Sequence, residues 1–255
     1  MSLFSTLIVE RRVASVAAIV VIVIGLLAGR WQLGRAEQKI GLANQIITMA
    51  AKEQIDLNGK AWTLAEVEFR PVRARGQFLP NEIVWLDNRP KPNQGSQSQT
   101  HSGFYVLMPF LLDGTASQVI WVNRGWAPRN SQDRLVLPSI LTPAGSLTIE
   151  GVAFSGPGRV LELGDQPNSM DRPRIQQNLD LAYEAKQLKY PQLGFVLRQN
   201  DPDRNDGLLR KWPPPTVGVD RHYAYAFQWF ALAAAALAFW FTTGVIRYRN
   251  KDKSN

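Results

Sequence analysis

Two long apolar runs bracket the chain, and between them the spacing of hydrophobic positions shifts from a helical period to an alternating one. The first run, VASVAAIVVIVIGLLAGRWQL over residues 13–33, carries no charge before Arg30. At about 1.5 Å per residue a helix of that length crosses a hydrocarbon layer of roughly 30 Å, with Arg30 snorkelling and Trp31 in the interfacial belt. Arg11 and Arg12 would equally open a signal peptide. No small-x-small cleavage site follows in LLAGRWQLGR, so a retained anchor is expected. The second run is uncharged from Ala224 to Ile246 and precedes RYRNKDKSN. A span over 222–246 follows, which leaves the tails 1–12 and 247–255 on one side and residues 34–221 on the other. Basic residues near the spans balance: Arg11, Arg12, Arg247, Arg249, Lys251 and Lys253 against Arg30, Arg35, Lys39, Arg210, Lys211 and Arg221. The four that crowd the C-terminal tail favour a cytoplasmic position, or its organellar equivalent, for both ends.

Between the spans, Leu33, Ala36, Ile40, Ala43 and Ile47 recur at steps of three and four or nearly so, and a helix over about 34–55 is expected. The pattern then becomes that of strands rich in β-branched and aromatic residues at 67–78, 82–89, 103–112, 118–126 and 146–155, with a last one in GFVLRQN (194–200). Turn residues Pro80, Asn81, Asp113 and Gly114 separate several of them. Residues 90–102, with no apolar side chain beyond two prolines, read as a solvent loop. A helix is expected from Pro173, with Ile175, Leu179, Ala182 and Lys186 on one side. The triple proline of RKWPPPTVGVDR returns the chain, stiff and extended, to the second span. The fold class is therefore membrane α+β: two transmembrane helices flanking one extracytoplasmic, mostly antiparallel β-rich domain, a sheet or small barrel, with one or two helices. It lacks the several polar, broken spans of a transporter.

Composition narrows the chemistry. The 255 residues carry 29 basic and 21 acidic side chains, a formal net charge of +8, but the basic residues are spread along the chain and form no stripe. Nucleic acid is not an expected partner; membrane lipid is. With no cysteine, disulfides, thiolate catalysis and cysteine-ligated metal are excluded.

His222 is the leading candidate for chemistry. If a helix begins near Asp220, then Tyr225, Ala226 and Trp229 share its face. An imidazole among aromatic surfaces at a membrane boundary suits an axial haem ligand, since neutral imidazole binds haem iron. It suits headgroup anchoring equally, because His, Tyr and Trp each join an apolar body to a polar tip, and the residues alone favour the anchor. His101 sits in the polar loop and is a poor ligand candidate. Gly25 and Gly29 on the first span, and Ala233 and Ala236 within the alanine-rich second one, are small enough for close helix packing, either with each other or with another membrane protein. In WVNRGWAPR (121–129), Arg124, Trp126 and Arg129 read as a docking surface or a carboxylate or propionate clamp, or else as a strand with Trp121 inward; Arg89 poses the same choice. No nucleophile–histidine–acid context, paired histidines or phosphate-binding glycine loop supports an enzyme.

In order along the chain, GRWQLGRAEQK (29–39), VRARGQF (72–78), LDNRP (86–90), GFYVLMPF (103–110), VNRGWAP (122–128) and RHYAYAFQWF (221–230) resemble the motifs of the Surfeit-locus family of cytochrome oxidase assembly factors. The resemblance covers about Gly29 to Trp240. It implies a protein of a bacterial inner (cell) membrane, or of its mitochondrial equivalent, with the large domain in the periplasm or intermembrane space. It further implies no enzymatic activity and a role in maturing haem-copper oxidases, by assisting haem a insertion into the catalytic subunit, with haem a held transiently. The catalytic subunit is the implied partner, with haem a synthase and copper-delivery factors as further ones. His222 corresponds to the family's favoured haem ligand, with Tyr225 and Trp229 as aromatic wall and Arg221 available to a propionate. Termini without an evident transit peptide favour a bacterial member. The chain departs from the family in lacking a tryptophan over 168–190 and in placing Asp220 and Arg221 before the histidine. A scaffold that holds oxidase subunits without touching haem is the alternative; it would use the Arg124 and Trp126 surface.

Overall fold

A computed structural model describes residues 10–92, 102–114, 117–133, 136–160, 175–201, 205–213 and 218–253. His101, most of the expected loop 90–102, Pro173, Pro214 and Pro215 lie outside them. The chain divides into two compact units, residues 1–44 with 216–255 and residues 45–215.

The first unit is a pair of long helices, α1 (Arg12–Ala50) and α4 (Asp220–Asp252). Each is long and apolar enough to cross a membrane. Helix α1 continues without a break past Gly34 and Gly41 and stops at Ala50, five residues short of the expected end.

The second unit is a small barrel. Its strands are β1 (Ile55–Asp56), β2 (Pro71–Phe78), β3 (Val84–Pro90), β4 (Ser102–Leu112), β5 (Val119–Pro128), β6 (Leu147–Phe154), β7 (Ile175–Gln176) and β8 (Gln192–Gln199). Five of them close a mixed ring in the order β2, β6, β8, β5, β4 and back to β2, antiparallel except for the parallel pair β5 and β8. The eleven-residue β4 makes closure possible: its first half pairs with β3 and its last three residues with β2. The expectation of a mostly antiparallel sheet or small barrel thus resolves into the barrel.

Alternate residues of the ring strands point inward. Val72, Ala74, Met108, Phe110, Ile120, Val122, Ile149, Phe195 and Leu197 form one buried cluster, and each large member contributes about 1.5–3 kcal/mol by leaving water. The other face of β3, β4, β5 and β8 carries a second layer, Val84, Leu86, Leu107, Val119, Trp121 and Val196, packed against Leu181 and Leu188 around α3 (Leu181–Gln187). Strand β5 is consequently buried on both faces from Val119 to Ala127.

Two expected elements are corrected. Residues 67–70 are not strand. Thr63 starts a short helix, α2 (Leu64–Val67), because the Glu66 carboxylate reaches back to the Thr63 backbone N–H at 2.9 Å and also takes Lys60 at 2.6 Å. Those bonds hold the Glu66 pKa down at about 2. Phe69, at φ 62°, then reverses the chain into β2. The helix expected from Pro173 begins at Leu181 instead. Asp180 caps it, accepting from the N–H groups of Ala182 (2.9 Å) and Tyr183 (3.2 Å), while Ile175 and Gln176 pair with β3.

Closure concentrates on Gly76, which is in register with Leu147 of β6 and Leu112 of β4. A Cβ there would lie 2.0 Å from the Leu111 carbonyl oxygen, a backbone atom with no room to yield. Gly76→Ala is expected to cost about 2–3 kcal/mol. Gly194→Ala, whose added carbon meets nothing within 4 Å, should stay within about 0.5 kcal/mol. Urea unfolding of the two variants checks this; equal midpoints would show that close approach at Gly76 does not govern closure.

Candidate functional site

The two helices of the first unit run antiparallel along one seam. Buried or half-buried residues along it include Ser15, Ala18, Ile22, Gly25, Gly29, Gln32 and Ala36 on α1, and His222, Ala226, Trp229, Ala233, Ala236 and Trp240 on α4. Steps alternate between three and four, the 3.5-residue period of a coiled-coil interface. A Cβ on Gly25 would come within 2.9 Å of both the Ala233 Cβ and the Trp229 carbonyl oxygen; one on Gly29 would strike the Phe230 ring. Ala236 lies half-buried on the same seam. Polar bonds pin the register at the far end: Trp240 Nε1 donates to Ser15 Oγ at 3.0 Å, and Arg11 donates to the Trp240 carbonyl (3.0 Å) and Thr243 Oγ1 (2.7 Å).

At the opposite end this register sets Gln32 against His222, with Nδ1 and Oε1 2.8 Å apart. An amide oxygen can only accept, so Nδ1 is the donor of this bond, and in the neutral ring that leaves the lone pair on Nε2. A metal-ligating histidine commonly has its other ring nitrogen bonded to a neighbouring acceptor in this way, which orients the ring. Trp229, about 20° round the helix from His222, shares the seam and is half-buried. Tyr225, about 60° away, lies outside it and is 51% exposed. The aromatic wall expected of these two is therefore split. Arg221 is exposed, with Tyr223 and Phe227 exposed on the same helix.

In the barrel unit, the expected surface of Arg124 and Trp126 is corrected. Arg124 has the parity of Ile120 and Val122 and points into the barrel, where it is 1% exposed. Its guanidinium donates to Thr142 Oγ1 (2.7 Å) and the Leu141 carbonyl (2.9 Å), pairs with Asp206 (3.2 Å), and lies 4.6 Å from the centre of the Phe78 ring. Arg210 pairs with the same carboxylate. Trp126 is buried, donating Nε1 to the Arg89 carbonyl at 3.0 Å. Arg129 is exposed and meets Asp87 at 3.7 Å, so Arg124 and Arg129 serve different carboxylates and form no common clamp. Trp121 is buried as the strand reading required, but in the outer layer beneath α3, its Nε1 bonded to Gln192 Oε1 at 3.0 Å. Arg89 is buried too, donating Nη2 to the Gln177 carbonyl at 2.7 Å. Among the described residues no cluster of His, Asp or Glu could hold a metal ion.

The sequence reading missed Gln32 and Asp206. For Asp206 a signal existed, since Asp and Arg four apart in DGLLR make an ion pair at helical spacing. Gln32 lies 190 positions from His222 and only the helix register pairs them.

Two helices long and apolar enough to cross a membrane, with a histidine at one end of their seam, and a five-stranded mixed barrel define the class of this chain. Residues 18–234 match the SURF1 family, and the chain belongs to that family. It is 31% identical over 217 residues to a SURF1-like protein of Rickettsia felis, covering 82% of this chain and 87% of that protein. The SURF1-like protein of Rickettsia bellii is 27% identical over 226 residues, 85% of each chain. Similarity to Surfeit locus protein 1 of the rat, 31% over 108 residues, spans 40% of this chain and 35% of the rat protein.

Two measurements check the geometry. Nitrogen-15 spectra of the His222 ring should show Nδ1 protonated and Nε2 bare, and Gln32→Leu should return the ring to a mixture of tautomers; an Nε2-protonated ring in the unaltered chain would overturn the assignment. Asp206→Asn, which strips two buried guanidiniums of their shared counter-charge, should cost about 3–5 kcal/mol in urea unfolding.

Proposed function

We propose that this chain is an assembly factor of a haem-copper cytochrome oxidase, seated in a bacterial inner membrane, and that it holds haem a transiently through His222 before the haem enters the catalytic subunit. Membership of the SURF1 family supports the oxidase context, and the two apolar helices support the membrane seat. Well-matched Rickettsia relatives support a bacterial setting. In this reading both ends face the cytoplasm and the barrel faces the periplasm, with residues 13–33 and 222–246 in the bilayer.

The observation that carries the haem reading is the bond from His222 Nδ1 to Gln32 Oε1. A headgroup anchor needs only an imidazole at the right depth; it needs no partner on the neighbouring helix that fixes which nitrogen is bare. A haem bound here would supply an iron that the His222 imidazole could ligate. Gln32 orients the ring and fixes its tautomer, Trp229 contributes apolar surface on the same helix face, and Arg221, exposed one residue before the histidine, offers a cation to a propionate. The scaffold alternative loses its expected contact surface, because Arg124 and Trp126 are buried. No catalytic residue is assigned.

Purification in detergent from cells that make haem a tests the proposal. The protein should carry haem a, His222→Ala should lose it, and Gln32→Leu should weaken retention by roughly 10-fold or more. Absence of haem a at every stage, together with normal oxidase maturation in the His222→Ala strain, would refute it.

A further inference from the structure

The outer layer of the barrel ends in a group of side chains that neither the core nor the haem reading uses. Arg198 on β8 has the parity of Val196, and Tyr105 on β4 that of Leu107, so both continue the outer face beyond the apolar layer covered by α3. Arg89 joins them through an irregularity. Between Leu86 and Arg89 the β3–β4 register shifts, with Asn88 at φ 60°, and Arg89 becomes the partner of Gly103 on the face of Tyr105. Without that extra residue Arg89 would point to the opposite side.

Both guanidiniums are held on aromatic rings. The Arg198 carbon lies 4.1 Å from the centre of the Phe154 ring and 5.2 Å from that of Trp212; the Arg89 carbon lies 5.5 Å from that of Tyr105. Trp212 meets Tyr105 edge to face at 5.4 Å. Stacking fixes the plane of a guanidinium while leaving its in-plane N–H edge to a partner. No carboxylate among the described residues neutralises either one, and Arg89 Nε is buried with no acceptor. Burial lowers the pKa of both arginines against a partial opposing effect of Tyr105, and burial raises that of Tyr105 against the two cations. Two partly desolvated positive charges facing one phenol are costly unless an anion sits with them. The contrast with Arg124 and Arg210, which enclose Asp206, is direct.

We propose that Arg89, Tyr105 and Arg198 form a binding site on the barrel for an oxyanion, a carboxylate or a phosphate group, both of which present the paired oxygens a guanidinium fork takes. Tyr105, Arg198 and Trp212 are each only half-buried, which leaves the site open to a ligand. It lies wholly within the barrel unit and does not depend on haem at His222.

The test is thermal unfolding of the full chain in an uncharged detergent, titrated separately with acetate and with inorganic phosphate at constant ionic strength. A ligand at about ten times its Kd should raise Tm by about 3 °C. The rise should disappear in Arg198→Gln and shrink in Tyr105→Phe, which keeps the ring and removes only the hydroxyl. Arg198→Lys keeps the charge without the fork and should lose most of the rise. A response to acetate alone identifies a carboxylate site; a response to phosphate alone identifies a phosphate site. No rise with either anion, or an equal rise in Arg198→Gln, would overturn the proposal.

Discussion

The closeness of two helix backbones at Gly25 and Gly29 is the constraint on which the helix unit depends. Within lipid, apolar side chains gain nothing by exchanging acyl chains for one another, so helices associate through packing and hydrogen bonds. Gly25 meets Ala233 and Gly29 receives the Phe230 ring only in one register. A slip of one turn, about 5.4 Å, would part Trp240 from Ser15 and Gln32 from His222 together. Small residues three and seven positions before Gln32 therefore decide whether the His222 ring has a partner, and hence which of its nitrogens donates.

The barrel solves a different problem. A ring of five strands encloses little volume, and its apolar filling of Phe110, Phe195, Ile120 and their neighbours gives way near Arg124 to a polar group. There one carboxylate serves two arginines, with Thr142 and the Leu141 carbonyl taking further donors. Such a network contributes little net stability against an apolar substitute, but it is intolerant of losing any single member. It ties β5 to the segment around Asp206 and to Arg210, so the return of the chain from the barrel is fixed by charge as well as by the bridge from Trp126 to Leu209.

Much of this architecture was legible because period reports exposure. The long strands and both long apolar helices follow from apolar spacing, and His222 stands out because an imidazole at the mouth of an apolar run is chemically conspicuous. Period fails where both faces are covered. Strand β5 is buried throughout, so Arg124 and Trp126 looked like surface residues between tryptophans when they were a barrel interior and a covered edge. It fails again where one turn residue overrides it: Asp180 sets the start of α3 more firmly than the apolar steps from Pro173 suggested. Contacts between distant segments, such as Gln32 with His222 or Asp206 with Arg124, leave no local trace in either chain segment.

The arginines show how much burial alone leaves undetermined. Arg124, Arg210 and Arg89 are all almost completely buried, and a sequence reader has no means to rank them. What separates them is the partner. Asp206 neutralises the first two inside the barrel, and a network closed in that way is structural. Among the described residues Arg89 donates to a carbonyl and an amide, with Arg198 and Tyr105 on the same face and no acid neutralising either cation. A fold can carry an uncompensated pair of cations when part of their solvation remains accessible, as the half-buried Arg198 and Tyr105 permit, and an arrangement of that kind is poised to exchange water for an anion. The shift at Asn88 that turns Arg89 to this face places a charge where the alternation of β3 would have set it aside, and that displacement is the feature a purely structural account of the barrel leaves without a purpose.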